Sequence, residues 1–258
     1  MTVLIGTSGW HYGHWKGAFY PEAARPPDWL EYYGQRFQTV ELNNAFYRLP
    51  SRQAFETWAS RVPADFVVAV KASRYLTHVK RLQNPAEAVD RLLAAARGLG
   101  PKLGPVLLQL PPTLRADRHA LVTTLRAFPR TVRVAVEARH RSWHDDTIRT
   151  VLEDHGAAWV LVDPSDGDRP RWRTAGWGYV RFHGGRAAPV PCYGRSALET
   201  WARRLARSWS AAEDVYCYFN NDTNSCAPRD ARRFSAAARR AGLVPSRVPG
   251  QRETPVLK

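Results

Sequence analysis

Eight short β-branched or apolar runs, most of them followed by a stretch with helical spacing, constrain this chain more than any other feature. The runs fall at 3–6, 39–42, 66–70, 105–109, 132–137, 158–162, 178–182 and 215–219. Helical apolar spacing appears at 53–61, 86–97, 118–128, 146–155, 197–208 and 229–241. Strands alternating with helices require parallel pairing through right-handed crossovers, and eight such units in about 240 residues match a closed barrel. The expected fold is α/β, a single (β/α)8 TIM-type barrel over 1–243, with 244–258 as a loosely attached tail. An open doubly wound sheet is the alternative, but no GxGxxG or GxxxxGK[ST] sequence opens any helix. The segment 164–176, PSDGDRPRWRTAG, is short and rich in Pro and Gly, so the helix after strand six is expected to be short or absent. The helix at 86–97 has the fullest signature: Asn84 as cap, Pro85 at the first helical position, Glu87 to complete a capping box and Gly98 as stop.

Nothing in the chain approaches the roughly 20 apolar residues that cross a bilayer, and MTVLIGTSGWHYGHW lacks a signal-peptide core, so a cytoplasmic protein is expected. The three cysteines, Cys192, Cys217 and Cys226, lack CxxC spacing and are expected as buried, reduced thiols. Lys and Arg outnumber Asp and Glu 38 to 23, a net charge of +15. Such an excess fits a phosphate polymer, but only five of these residues are Lys and the arginines recur along nearly every helix. Arg-rich codon usage on solvated helix faces would look the same.

Barrel active sites gather at the carboxyl ends of the strands, and these ends are polar throughout. They carry Thr7, Ser8 and Trp10; Glu41, Asn43 and Asn44; Lys71 and Ser73; Gln109; Glu137 and Arg139; Asp163; Arg181 and His183; Asn220, Asn221 and Asp222. Two carboxylates about 4 Å apart repel by roughly 4 kcal/mol at an effective dielectric near 20. Lys71, Arg139 and Arg181 can offset Glu41, Glu137 and Asp163 without a divalent cation, so no cofactor is expected. A metal held by Glu41, Glu137, Asp163 and His183 is the alternative. His140 and His144 have i, i+4 spacing but no HExxH glutamate.

After strand seven comes RFHGGR, residues 181–186. Gly184 and Gly185 suit close backbone approach to a phosphate, with Arg181 and Arg186 beside them; alternatively the pair only makes the turn. The first loop concentrates Trp10, His11, Tyr12, Trp15, Phe19 and Tyr20, which either stack on a base or sugar or pack on one another. In QLPP, 109–112, the prolines shape the rim, and a cis bond is conceivable there.

Several stretches together carry a resemblance: IGTSGW at 5–10, FYP at 19–21, VELNNAFYRLP at 40–50, VKASRYLTH at 70–78, LGPVLLQLPP at 103–112, VEARHRSW at 136–143, YVRFHGG at 179–185 and YFNND at 218–222. The chain resembles the YecE-like family, domain of unknown function 72. The resemblance implies a TIM-type barrel and brings no settled activity, cofactor or catalytic residues. Members have been likened to metal-dependent barrel endonucleases, yet the His ligand set of a trinuclear zinc enzyme is not evident here.

The leading expectation is an enzyme performing hydrolysis, elimination or isomerisation on an anionic, phosphorylated small molecule. Glu41, Glu137, Asp163 and His183 would transfer protons; Lys71, Arg139, Arg181 and the Gly184 and Gly185 amides would hold negative charge; Trp10, Asn43, Gln109, Asn220 and Asn221 would orient the substrate. A nucleic-acid binder or phosphodiesterase and a non-catalytic scaffold are the alternatives.

Overall fold

The computed structural model describes residues 2–163, 169–209 and 214–250. Eight parallel strands, β1 (Thr2–Thr7), β2 (Thr39–Leu42), β3 (Val67–Lys71), β4 (Leu103–Leu110), β5 (Val134–Ala138), β6 (Ala158–Asp163), β7 (Gly178–Phe182) and β8 (Val215–Phe219), form one curled sheet in the order β2-β3-β4-β5-β6-β7-β8-β1. The helices are α1 (Trp29–Arg36), α2 (Asn44–Tyr47), α3 (Arg52–Ser60), α4 (Ala86–Ala96), α5 (Arg118–Ala127), α6 (Asp146–Asp154), α7 (Arg195–Trp209) and α8 (Cys226–Arg240). The TIM-type expectation holds, and residues 169–177, ahead of β7, contain no helix. The segment 164–168 lies outside the described residues. Helices α1 and α2 escaped the sequence reading, because α1 spans barely two turns and α2 only one.

The two ends of the sheet meet at β1 and β2 without a backbone ladder. A tyrosine hydroxyl bridges them: the Thr7 amide donates to Tyr33 Oη at 3.0 Å, and Tyr33 Oη donates to the Thr39 carbonyl at 3.0 Å. Gly6 permits this approach, since a Cβ there would lie 2.3 Å from the Thr39 oxygen. Residues expected to be a loose tail stitch the same seam. Strand β9 (Val244–Pro245) pairs with β1, the Ser246 amide donates to the Val3 carbonyl at 2.8 Å, and Arg247 forms a bidentate pair with Asp65 at 2.9 and 3.1 Å. Edge groups of β1 left open by the seam supply the reason, since buried backbone donors and acceptors need partners. The expected tail's remainder, 251–258, lies outside the described residues.

Helix α4 begins and ends differently from the capping expectation. Asn84 sits at φ +47° and Pro85 is the N-cap, with no side-chain bond to the first turn. A 3-10 turn continues past Gly98 to Lys102, and the left-handed residue is Gly100, φ +54°. Gly98 is instead a packing position, where a Cβ would lie 2.4 Å from the Arg52 carbonyl.

The cysteine expectation is overturned for two residues. Cys192 and Cys226 form a disulfide, tying the β7–α7 loop to the start of α8; Cys217 remains a buried thiol. No spacing cue marks this pair, because the partners are 34 residues apart and α7 and β8 intervene. The cis peptide bonds among the described residues precede Pro189 and Pro191, and QLPP contains none. Among the described residues no helix is long and apolar enough to cross a membrane.

A candidate active site at the barrel mouth

Strand periodicity decides what lies inside the barrel, because residues two apart face the same way. The inner face starts apolar with Leu4, Ala69, Leu107, Ala135, Ala158 and Val160, and gains tyrosine at Tyr179, Tyr216 and Tyr218. Two residues beyond Ala69, Leu107, Ala135 and Tyr179 the same phase brings Lys71, Gln109, Glu137 and Arg181 to the carboxyl end, where Glu41 of β2 and Ser8, just past β1, join them. All six are buried.

Arg181 organises this layer. Its Nε and Nη2 donate to both oxygens of Glu41 at 2.9 and 2.8 Å, and Nη1 donates to Glu137 at 2.7 Å. One guanidinium on β7 thereby clamps carboxylates from β2 and β5. Ser8 Oγ and Tyr179 Oη donate to Glu41, each at 2.7 Å; Gln109 Nε2 and Arg139 Nε donate to Glu137 at 2.9 and 3.1 Å. Burial alone would push both carboxyls up. Arg181 overrides it, holding Glu41 below the usual carboxylate range and, with His183 and Arg139, Glu137 at about 2. Both carboxylates are therefore held as anions, with every oxygen accepting at least one hydrogen bond.

Lys71 differs from them. Its ammonium lies 3.9 Å from the centre of the Phe46 ring, and among the described residues it has no carboxylate partner. Burial and then the nearby Arg181 lower its pKa to about 8. His183 is also disfavoured as a cation, first by burial and then by Arg181, and its pKa falls to about 4. Asn220 Nδ2 lies 3.0 Å from His183 Nδ1, an arrangement that assigns the proton of the neutral ring to Nε2. That Nε2 is buried, has no hydrogen-bond partner, and stands 3.9 Å from a Glu137 oxygen. Asn43 Oδ1 is likewise buried and unpartnered.

Other expected site residues do not join this group. Asp163 follows the inward Val162 and so faces the helix layer, and its carbonyl accepts from the His183 amide at 2.6 Å. The set Glu41, Glu137, Asp163 and His183 is thus not brought together, and among the described residues no group of three or more His, Cys, Asp or Glu could hold a metal ion. Asn221 also falls out of phase: its amide donates to Asp230 on α8 at 2.8 Å. Trp10 is buried edge-on against Trp58 of α3, 5.6 Å between ring centres, and its carbonyl accepts from Tyr20 Oη.

The expected phosphate cradle is already filled by the protein. The Gly184 amide donates to Tyr193 Oη at 3.2 Å and the Gly185 amide to the Pro191 carbonyl at 2.7 Å. Gly185 must be glycine because a Cβ would lie 2.3 Å from the Cys192 oxygen. The pair makes the turn and does not present free donors. The aromatic first loop likewise packs on itself, with Tyr20 stacked on Trp29 at 4.9 Å and Trp15 edge-on to Phe19 at 5.4 Å.

Two participants, Tyr179 and Phe46, were missed, and Ser8 was named at its strand end without a role. Ser8 and Tyr179 were legible from phase alone, standing on the inner face beside Glu41 and two residues before Arg181. Phe46, the seat of Lys71, had no sequence signal.

The chain is similar over most of its length to bacterial proteins. UPF0759 protein YunF of Bacillus subtilis is 25% identical, covering 90% of this chain and 93% of that protein. UPF0759 protein YecE of Escherichia coli O157:H7 is 28% identical over 77% of this chain and 81% of its own length. The crystal structure of a DUF72 family protein from Thermotoga maritima superposes with a TM-score of 0.81 at 28% identity, over 92% of this chain and 98% of that one. The family model described as "Protein of unknown function DUF72" matches residues 4–253, and this chain belongs to that family.

Proposed function

We propose that the barrel mouth is the active site of an enzyme that moves protons on an anionic small molecule. One observation carries this reading: the mouth holds three cations, Lys71, Arg139 and Arg181, against two carboxylates, Glu41 and Glu137, and Lys71 is the cation left without a carboxylate. A bound carboxylate or phosphate would complete the balance. Lys71, with its pKa near 8, has a usable neutral fraction at physiological pH and acts as the base. His183, neutral, donates from Nε2 to the oxygen on which negative charge develops. Arg139 and the Asn43 carboxamide fix the substrate. Isomerisation, elimination and hydrolysis all draw on such a pair. Glu41 and Glu137 set the field and hold Arg181; they do not exchange protons.

The test is a thermal-shift screen of sugar phosphates, nucleotides and dicarboxylates on the full chain and on Lys71→Met. A ligand at 100 times its Kd adds about 2.7 kcal/mol of stability. The reading expects at least one anion to stabilise the wild type and to lose that effect in Lys71→Met. If no anion stabilises the protein, or if the variant responds equally, the mouth is not the anion site, and a scaffold barrel becomes the better description.

A further inference from the structure

Outside the mouth, arginines occur in two settings. On α3 and α6 they pair with glutamate one turn away, Arg52 with Glu56 and Arg149 with Glu153, both at 2.8 Å. Helices α7 and α8 instead hold nine arginines and two carboxylates, Glu199 and Asp230. Asp230 is buried and accepts from the Tyr193 amide, Asn221 and Arg229. Glu199 is shared between Arg195 at 3.4 Å and Arg240 at 3.0 Å. Arg232, Arg233 and Arg239 have no carboxylate partner among the described residues. These two helices carry nearly half of the net charge of +15.

A groove of about 650 Å³ runs between α7, α8 and residues 248–250, walled by Arg195, Arg232, Arg233, Ser235, Arg239 and Arg240. Two buried polar atoms on it, Arg232 Nε and Ser235 Oγ, have no hydrogen-bond partner, and Ser235 is fully buried.

We propose that this groove binds the phosphate backbone of a nucleic acid, separately from the mouth. Guanidinium groups match phosphate oxygens in a bidentate fork. At about 1.5 Å of rise per residue, Arg232 and Arg239 stand about 10 Å apart along α8, a span that several phosphates of one strand can bridge and a single free anion cannot. Among the described residues no aromatic side chain lines the groove, so nothing described there stacks on or reads bases and binding is sequence-independent. A flat anionic membrane fits poorly, because the surface is concave and none of the exposed large apolar side chains belongs to it.

The experiment is fluorescence anisotropy of the full chain with a labelled oligothymidine and a labelled duplex of unrelated sequence, titrated at increasing salt. Both should bind at low salt, with affinity falling steeply; four neutralised phosphates give a slope of log K against log salt of about −3 on single strands. Arg233→Glu combined with Arg239→Glu, both exposed positions, should weaken binding at least tenfold with an unchanged circular dichroism spectrum, whereas Lys71→Met should leave it unchanged. The proposal is overturned if neither probe binds at low salt, if the double variant binds like the wild type, or if oligoglutamate binds more tightly than the oligonucleotides. Since the mouth variant is scored separately, this result stands or falls apart from the mouth chemistry.

Discussion

Arg181 and Arg233 carry the same guanidinium in opposite physical settings. Arg181 is 1% exposed and spends three nitrogens on two buried carboxylates; Arg233 is exposed on α8 and forms no ion pair among the described residues. Burial makes the first arginine a structural requirement, because desolvated charges must be paired. Exposure leaves the second nearly irrelevant to folding and available to an outside anion. The +15 of the chain therefore has no single meaning: at the mouth charge is internally matched to within one unit, and on α7 and α8 it is not.

The largest test of this contrast removes Arg181. Arg181→Met strands Glu41 and Glu137 in the barrel and should cost about 3–5 kcal/mol, read by urea unfolding. If the variant does not fold, the triple change with Glu41→Gln and Glu137→Gln should restore a folded barrel, since it strands no charge. Unchanged stability of Arg181→Met alone would break the account of the mouth.

Reducing the Cys192–Cys226 bond should cost nearly as much. Closing a 34-residue loop restricts the unfolded chain by about 3–4 kcal/mol in the chain-entropy model. Unfolding with and without reductant measures it, and Cys192→Ala with Cys226→Ala should match the reduced protein.

A pH series separates the two signs of shift at the mouth. Glu137 is lowered, so its stabilisation is complete above the unfolded value near 4.3 and is lost as pH falls through about 2. Glu137→Gln should flatten that acid limb. Lys71 is also lowered, but as a base: the buried ammonium costs stability below about 8, and the cost fades as pH rises toward the unfolded value near 10.4. Lys71→Met should consequently stabilise the protein at pH 7, and a destabilised variant would show that the ammonium has a partner.

Smaller still is the seam. Tyr33→Phe deprives the Thr7 amide and the Thr39 carbonyl of their bridge and should cost about 1–3 kcal/mol by urea unfolding. Smallest is the exposed face: Arg233→Ala should stay within about 0.5 kcal/mol of wild type. A larger loss would mean that α8 depends on a contact among its own residues, and would weaken the case that Arg233 is free for a partner.

The strand phases made much of the site legible in advance. Once Arg181 is inward, Tyr179 must be too, and Asp163 must be outward because it follows Val162. The residue types at the strand ends were likewise enough to bring Glu41, Lys71, Glu137 and His183 to one mouth. Sequence alone could not apportion the charges among them. That required knowing that one guanidinium reaches both glutamates, which pairs the two carboxylates and leaves Lys71 without a carboxylate and His183 Nε2 without a partner among the described residues.

Local patterns, then, determined the eight strands, most of the helices and the polar layer at the strand ends, since side-chain alternation and helical spacing are properties of neighbouring residues. Only the tertiary structure decided the bridge at Tyr33, the insertion of Val244–Pro245 beside β1, the Cys192–Cys226 bond and the occupation of the Gly184 and Gly185 amides by the protein itself. Each of these joins groups far apart or across a loop, where distance along the chain carries no information about who meets whom. Hydrogen-bond demand in a buried, closing sheet chooses the partners.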